Sequence, residues 1–442
     1  MVWVPVEFGL SSSCFNNYDL GIYGQAIHLL SLESLNPWLS VRDVFLFNDH
    51  FDPILFLTLP FKKLATPPLL AIRFEMVSLL LAAWAPFWLM RKKLISIEIA
   101  VCCAAIILFS PLTLDAAFYP SHPGTWSLAP LSWMFAFLLA NQYWPSLLML
   151  ILMLACKEEY PFVGFAVGCV LWMRSERKFS AIYLAVSIVW ALGVFLVRPA
   201  LLGPASMYTE AVSRGHGLEL LMGWDGISSI GWRLIELFLP ILLLLSNRRP
   251  KTDKSPYLIP IAAMVVLLAI RFAGGYWGNH RAAPLAVAGA FMVPFVLRTA
   301  SLSPSRLRMF ALCMVVLAFP SLEIGARFWR GKPFKNHCPA TAGRIESIRL
   351  AQKELRSLPG GILLAQGNLV PQLVDLPGIA HLGATHSKDF RYLLIEKGEF
   401  RNTWPLSKTE FEETERTWLQ FPGIKKIIED QNVLLIDRTP SN

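Results

Sequence analysis

The stretch LLAIRFEMVSLLLAAWAPFWLMRKK, residues 69–93, decides the fold, because an apolar run long enough to cross a bilayer ends there in three basic residues. A helix needs about 20 apolar residues to span the hydrocarbon core. Similar or shorter apolar runs repeat as far as residue 325. The ten predicted segments lie at about residues 69–90, 94–113, 125–140, 144–157, 158–173, 179–202, 232–246, 256–275, 280–297 and 308–325. The sequence therefore predicts a polytopic α-helical membrane protein with about ten spanning or half-spanning helices.

The gaps between these runs alternate in charge. The basic gaps are residues 91–93, 174–178, 248–251 and 298–308. The other gaps hold acids, histidines and aromatic residues, and they are residues 115–122, 157–160, the loop around residue 216, and 276–281. Lys and Arg accumulate on the cytoplasmic side of membrane proteins. The alternation therefore predicts the orientation, and it places nearly every residue capable of chemistry on the outer face.

Composition agrees with this class of protein. Of the 442 residues, 55% are hydrophobic and only 16% are charged, whereas a soluble domain has about 25% charged residues. Much of the formal net charge of +9 lies in the predicted cytoplasmic turns, where topology and anionic lipid explain it. Because no RNA-binding motif or soluble basic domain accompanies the charge, we expect no nucleic-acid partner.

The chain also lacks several sequence motifs of soluble enzymes. It has no Walker A loop, GxGxxG, GxSxG or CxxC motif, and its seven cysteines match no zinc or redox spacing. These absences weigh against ATP-driven transport and against acyl transfer by a nucleophile elbow.

Two regions flank the apolar core and give three predicted domains. These are an extracytoplasmic N-terminal segment over residues 1–66, a transmembrane helical domain over 67–326, and an extracytoplasmic soluble α/β domain over 327–442. Apolar residues at helical spacing over residues 19–32 predict an amphipathic helix at the outer interface. In the last domain the patterns predict helices at 341–358 and 409–419, and strands at 362–365, 392–395, 424–428 and 433–436.

The first ten residues are apolar but too short to span a bilayer. The predicted topology nevertheless requires residue 19 to lie outside. Either the N-terminus is translocated directly or an upstream spanning helix is missing from this chain, and we expect the second, from a truncated or misassigned start.

The first candidate site residue is Asp19, in the stretch NYDLG that opens the predicted interfacial helix. One interpretation is a helix cap, because Asp accepts hydrogen bonds from the first free amides of a helix. The other is a general base or a carboxylate that orients a substrate.

The second candidate stretch is NDHFDP, in which Asp49 and Asp52 flank His50. This group could orient the histidine, bind a divalent cation or solvate a loop. Because no HxH or HExxH spacing is present, no metal ligand is assigned, and a divalent cation remains an open alternative.

The third candidate stretch is KEEYP, with adjacent Glu158 and Glu159 beside a lysine. Such carboxylates shift each other's pKa values. They could bind a cation that accompanies a phosphate or accept a proton, or they could form a solvated corner between two helices. His122 and His280 are further candidates for substrate binding, and the guanidinium of Arg281 suits a phosphate or anchors the chain at the interface.

Ionisable residues also lie inside two predicted segments. Arg73 and Glu75 are in the first, and Arg233 and Glu236 are in the seventh. Such groups normally face the interior of a helix bundle. Either they form structural ion pairs or they serve a function there.

Five motifs together resemble a known family of bacterial membrane proteins, DUF2079. They are YDLGIYGQAIHLL from residue 18, DHFDPILFLTLPFKKL from residue 49, YPSHPGTWSLAPLSW from residue 119, CKEEYPFVGFAVG from residue 156, and NVLLIDR from residue 432. The resemblance covers about residues 18–438. That family is similar to the GT-C superfamily of integral membrane glycosyltransferases, which use sugars linked to polyprenyl phosphate and have a catalytic acid in the first outer loop.

The resemblance implies roles for particular residues. Asp19 matches the first-loop acid, His50 the DHF-P motif, His122 the H-P motif, and Glu158 the acid of the K-E-acid motif. Many GT-C enzymes have paired acids in the first loop, whereas Leu20 follows Asp19 here. From the motif matches we expect Asp19, His50 and Glu158 to be catalytic.

The resemblance also implies a function and a location. We expect a glycosyltransferase of the bacterial cytoplasmic membrane that transfers a sugar from a polyprenyl-phosphate donor to an acceptor at the outer face, with membrane lipid around it. A transporter or lipid flippase, and a non-catalytic membrane scaffold, are the alternatives. A mid-membrane cluster of acids would favour transport, because transport sites normally lie at that depth.

Overall fold

A computed structural model describes residues 10, 18–118, 121–203, 258–274, 282–300, 342–382, 390–397, 403, 406–421 and 423–438. These residues form two compact units. The first unit contains residues 18–46, Leu57–Ile72 and the described residues from 342 onward. The second unit contains Phe47–Phe56 and the described residues from 73 to 300.

The chain is mostly helical. The described α-helices are α1 (Tyr18–Leu29), α2 (Leu46–Asp49), α3 (Pro67–Arg91), α4 (Ile97–Phe109), α5 (Pro111–Phe118), α6 (Pro123–Trp126), α7 (Leu128–Leu139), α8 (Tyr143–Leu154), α9 (Tyr160–Met173), α10 (Arg177–Leu192), α11 (Arg198–Leu202), α12 (Leu258–Gly274), α13 (Ala283–Ala300), α14 (Ala342–Ser357) and α15 (Lys408–Leu419). A π-helical turn, Gly193–Val197, joins α10 to α11. A 3₁₀-helix, Pro53–Phe61, precedes α3.

Left-handed turn residues end three of the apolar helices. Lys93, Asn141 and Ser175 follow α3, α7 and α9, with φ angles of 58°, 56° and 66°. A residue in this conformation stops a helix and lets its last carbonyls find hydrogen-bond donors. The chain can therefore reverse within a few residues, as the short gaps in the sequence predict.

Two of the described helices are long and apolar enough to cross a membrane, namely Pro67–Arg91 and the continuous helix Arg177–Leu202. The predicted segment at 94–113 is instead two helices, α4 and α5, because the residue before Pro111 is disfavoured in a helical conformation. The predicted segments 232–246 and 308–325, with Arg233 and Glu236, lie outside the described residues. The total of ten spans remains a prediction.

The C-terminal domain is a small α/β unit, as the sequence predicts. Two short antiparallel strands, β1 (Trp38–Leu39) and β2 (Val44–Phe45), come earlier in the chain. The strands of the C-terminal domain are β3 (Leu363–Ala365), β4 (Ile379–His381), β5 (Tyr392–Glu396), β6 (Ile424–Glu429) and β7 (Val433–Arg438), in the sheet order β4-β3-β5-β7-β6. Strand β3 is parallel to β4 and β5, and β7 is antiparallel to β5 and β6. Phe411 and Trp418 of α15 pack on the buried strand residues.

Helix α1 corrects one prediction. The helix exists, but every residue from Leu20 to Ile27 is buried, so it is not an amphipathic helix on a membrane surface. Gln25 is buried with the apolar residues, and the ammonium of Lys62 donates to the carbonyl oxygens of His28 and Leu30 at 2.8 and 2.7 Å. These contacts satisfy the end of the helix, where carbonyl groups have no partner within the helix itself.

Candidate functional site

Two distant stretches of sequence meet at one end of the helical unit. The turn at residues 155–159 connects α8 to α9, and its Ala155 carbonyl accepts a hydrogen bond from the Ile54 amide at 2.9 Å. The next helix can begin at once because Pro161 lies in its first turn, where a proline is tolerated. This junction brings the NDHFDP and KEEYP motifs together.

Glu158 is the centre of the junction. Its side chain is only 2% exposed, and its Oε1 atom accepts a hydrogen bond from the Phe51 amide at 2.8 Å. Three basic side chains surround the carboxylate: His50 Nδ1 at 3.4 Å, Arg198 Nη1 at 3.7 Å and Lys157 Nζ at 3.9 Å. We call His50, Lys157, Glu158 and Arg198 the Glu158 cluster.

The cluster shifts the titration of its members. Burial raises the pKa of Glu158, but the charges of Lys157 and His50, with hydrogen bonds from His50 and Phe51, outweigh it and hold this pKa well below its usual range. Burial and Lys157 lower the pKa of His50, whereas Glu158 and Asp49 raise it by more, so that it lies above the usual histidine value. The carboxylate is therefore ionised, and the imidazolium form of His50 is favoured.

His50 has two proton states with different partners. Its Nδ1 atom lies 3.1 Å from the ammonium of Lys157 and 3.4 Å from Glu158 Oε1. A protonated Nδ1 donates to the carboxylate, whereas an unprotonated Nδ1 accepts from Lys157. The histidine can therefore gain or lose a proton without losing a hydrogen-bond partner.

Arg198 was not singled out from the sequence. It follows the π-helical turn Gly193–Val197, a feature often found at functional sites, and its side chain is buried. The residues on either side of Arg198 in the sequence are apolar, so the residue falls inside a predicted membrane-spanning segment. The signal that could have found it is a single ionisable residue inside such a run.

Glu159 has a different partner from Glu158. It forms an ion pair with Arg271 of α12, whose side chain is buried. Arg271 was also missed, for the same reason as Arg198. The two adjacent carboxylates of the KEEYP motif thus reach two different helices.

Asp49 and Asp52 are both buried, at 2% and 0% exposure. Asp49 acts by its charge on His50, and Asp52 acts on Cys156 and Tyr160. A solvated loop is therefore the wrong interpretation of the NDHFDP motif, because its carboxylates are enclosed by the helix junction.

His122 belongs to a second buried polar group, around Glu75 of α3. Glu75 Oε2 accepts hydrogen bonds from the amides of Ser121 and His122, at 2.6 and 3.2 Å. Ser121 has a φ of 80°, which is uncommon for a residue with a side chain. Close by in the sequence, the Tyr160 hydroxyl donates to the Gly124 carbonyl at 3.1 Å, which joins the start of α9 to α6.

Asp19 belongs to the first unit. It lies in the first turn of α1, which begins at Tyr18, and its side chain is half-buried. His280 and Arg281 lie outside the described residues. Within the part of the chain that the structure describes, no group of three or more His, Cys, Asp or Glu side chains is arranged to hold a metal ion.

The comparison with protein families agrees with the resemblance found in the motifs. The family described as "Predicted membrane protein (DUF2079)" matches residues 12–276, which include the Glu158 cluster and the Glu75 group. No curated protein matches the chain. Because the family match covers more than half of the sequence, the chain belongs to the DUF2079 family of predicted membrane proteins.

Proposed function

We propose that this protein is a glycosyltransferase that transfers a sugar from a polyprenyl-phosphate donor to an acceptor at the outer face of the membrane. The observation that best supports this proposal is the Glu158 cluster. It places two basic side chains, Lys157 and Arg198, beside a buried carboxylate and a histidine whose pKa is raised.

Such a cluster suits the recognition of a phosphate. A guanidinium and an ammonium both donate to phosphate oxygens, and the guanidinium does so through paired donors. Glu158 holds both cations in place before a ligand arrives. Preplaced charges of this kind usually supply the largest share of catalysis.

The reaction needs little acid catalysis, because a lipid phosphate is a good leaving group. The acceptor oxygen forms a bond with the anomeric carbon, and the bond from that carbon to the phosphate oxygen breaks. The electron pair remains on the phosphate, where Lys157 and Arg198 stabilise it. The acceptor proton passes to a carboxylate, a role that the GT-C resemblance assigns to Asp19.

The other candidate residues have supporting roles in this proposal. His50 and Glu158 adjust the charge around the phosphate. Asp49, Asp52, His122 and Glu159 bind or orient the substrate, together with His280 and Arg281. A divalent cation remains an open alternative for the phosphate.

The proposed location is the bacterial cytoplasmic membrane, with about ten spanning or half-spanning helices and the C-terminal domain outside. Aromatic residues paired with cations at these helix ends support a position at a membrane interface, and the excess of Lys and Arg there supports the cytoplasmic side. The cation lies 5.5 Å from the ring centre for Lys92 over Trp88, 3.8 Å for Arg177 over Trp172 and 5.7 Å for Lys178 over Trp144.

A transporter or lipid flippase is the second candidate function. It is favoured by Glu75, which is fully buried within a helix long enough to span a membrane. The Glu75 Oε1 atom has no hydrogen-bond partner among the described residues. Buried intramembrane acids commonly mark pathways for ions or protons.

The test is transfer from radiolabelled polyprenyl-phosphate sugars in membranes that contain the protein or one of its variants. Asp19→Asn should abolish transfer, and Glu158→Gln should reduce it strongly. Glu429→Gln, which changes an exposed carboxylate in β6, is the matched control and should retain it. Persistent transfer with Asp19→Asn would move the proton-accepting role to His50 or Glu158. No transfer from any donor by a well-folded protein would favour transport.

A further inference from the structure

The helix that contains Asp19 is enclosed by the other parts of its own unit. Every residue of α1 from Leu20 to Ile27 is buried, and the helix packs along the 3₁₀ turn Val370–Gln372 of the C-terminal domain. About 350 residues of sequence separate the two elements. Helix α1 and the C-terminal domain are therefore one packed structure.

An aromatic contact fixes the start of α1. The Tyr18 ring lies 4.3 Å from the ring of His381, centre to centre, at an interplanar angle of 46°. Its hydroxyl donates a hydrogen bond to the Val41 carbonyl at 3.2 Å, and the guanidinium of Arg42 lies 5.9 Å from the ring centre. Tyr18 is the residue directly before Asp19, so these contacts determine where the carboxylate lies.

A chain of hydrogen bonds fixes the middle of the helix. Gln25 Nε2 donates to Ser40 Oγ at 2.8 Å, and Ser40 Oγ donates to the Ile379 carbonyl of β4 at 2.6 Å. Gln25 Oε1 accepts from the Val41 amide at 3.0 Å. The Nε2 end of the buried amide side chain thus joins α1 to the C-terminal sheet through Ser40, and its Oε1 end binds the loop after α1.

Gly21 allows helix α1 to approach the C-terminal domain closely. A Cβ atom added at Gly21 would lie 2.6 Å from Val370 Cγ1 and 3.3 Å from Val370 Cβ. Real Cβ atoms do not come so close to a neighbour, so any other residue at this position would push α1 away from the domain. Asp19 lies two residues earlier in the same helix, and its position depends on this contact.

The contacts between α1 and the C-terminal domain lie near the carboxyl ends of two parallel strands. His381 ends β4, and Val370 follows soon after the end of β3, which is parallel to β4. In open α/β sheets, the carboxyl ends of parallel strands are where ligands usually bind. Here helix α1 of the same chain takes that place.

We infer that the C-terminal domain is a clamp that positions Asp19, through the contacts of Tyr18 with His381 and of Gly21 with Val370. The domain then contributes positioning residues and no catalytic group. The catalytic part of this inference rests on the proposed function, whereas the clamp itself does not.

The clamp is tested first without any activity, by a disulfide in the full-length protein. The pair Gly21→Cys and Val370→Cys should form one under mild oxidation, because the Cβ separation of 3.3 Å is close to the 3.5–4.5 Å typical of disulfides. The two single variants are the controls for the seven natural cysteines. Failure of the pair to cross-link, in protein that is otherwise folded, would overturn the inference.

Activity then tests positioning. The oxidised pair should transfer sugar as well as the reduced pair does, because the disulfide holds α1 where it already lies. Gly21→Ala should lower kcat by about 10²-fold, the cost of a small misplacement of a catalytic group, with little change in the KM for the donor. Adding Val370→Ala should restore most of the loss, which a general defect in folding would not allow.

Two other outcomes are also decisive. If oxidation of the pair abolishes transfer and reduction restores it, α1 must leave the domain during catalysis, and positioning by the clamp is wrong. If the pair cross-links but the wild-type protein transfers from no donor, the clamp stands and the proposed transfer fails instead.

Discussion

His50 shows at the scale of one residue how neighbours determine a proton equilibrium. Its pKa is raised in the folded protein because Glu158 and Asp49 outweigh burial and Lys157. A raised pKa means that the folded state binds the proton more tightly than the unfolded chain does. This stabilisation is fully present below the unfolded value of about 6.5, and it is lost as the pH rises through the folded value.

The first prediction follows from that linkage. His50→Gln should lower the unfolding temperature relative to the wild-type protein. This decrease should be largest below about pH 6.5 and should become smaller as the pH rises. Thermal unfolding of the two proteins in detergent across this pH range measures the difference. Glu158→Gln removes the partner that raises the pKa, so in that background the pH dependence should largely disappear. A difference that grows with pH would contradict the assignment.

The second prediction concerns Arg198. Arg198→Ala should lower kcat/KM for the proposed transfer by about 10²–10³-fold, the typical cost of losing one preplaced donor. Arg198→Lys should recover part of this, because it restores the charge but not the paired donors. Arg177→Ala is the control, since Arg177 stacks on Trp172 at 3.8 Å and does not belong to the Glu158 cluster. Equal losses in Arg198→Ala and Arg177→Ala would contradict a phosphate role.

Sequence reasoning identified part of this site. His50 and Glu158 were selected because charged and aromatic residues are concentrated in the outer gaps. Their contact could not be predicted, because 107 or 108 residues separate Glu158 from its partners in the NDHFDP motif. Arg198 was missed because a hydropathy average over a long apolar run hides one charge.

At the scale of the element, helix α9 is held by glycines against its neighbours. A Cβ atom at Gly168 would lie 2.8 Å from Leu184 Cγ of α10, and one at Gly164 would collide with Ser187 Oγ of the same helix. Small residues at membrane helix interfaces allow such close packing. Because α9 begins just after Glu158, this packing also sets the position of the cluster.

The third prediction tests this interface. Gly168→Ala should destabilise the protein by about 1–3 kcal/mol, the usual cost of overpacking, and Leu184→Ala should relieve part of the loss. Thermal unfolding in detergent measures both effects. Gly343→Ala is the matched control in a helix, because a Cβ atom there meets nothing within 4 Å. If the two alanine variants behave alike, the close packing at Gly168 is not important.

Sequence patterns predicted where the helices and strands lie better than they predicted which residues cover them. Apolar runs and helical spacing located α14, α15 and four strands of the C-terminal sheet to within a few residues. Strand β4 was missed because its three residues lie in a short run beside a glycine, Gly378. Helix α1 was located, but its burial could not be predicted, because the residues that cover it come from the far end of the sequence.

At the scale of the whole molecule, the charge alternation predicts the side of the membrane on which each loop lies. It places Ser175 in a cytoplasmic turn and Ser357 in an outer domain, and both residues are exposed. The same alternation predicts that the Glu158 cluster lies on the outer side, where α8 ends and α9 begins. The proposed reaction requires this side, since its donor is presented at the outer leaflet.

The fourth prediction tests the orientation directly. In intact cells without an outer membrane, a membrane-impermeant maleimide should label Ser357→Cys and should label Ser175→Cys only after permeabilisation. Unmodified protein gives the background from the natural cysteines, of which Cys169 is exposed. The reverse pattern would invert the topology and remove the proposed transfer from the outer face.

The hydrogen bond between Ser40 and Ile379 also has a consequence for how the protein is made, since 339 residues separate its two ends. A ribosome adds about 5–20 residues per second, so α1 waits for on the order of half a minute before the C-terminal domain emerges. Gln25 can bond Ser40 and the Val41 amide during that interval, but the face of α1 that packs on Val370 has no final partner. We expect lipid or a chaperone to cover this face until the C-terminal domain arrives.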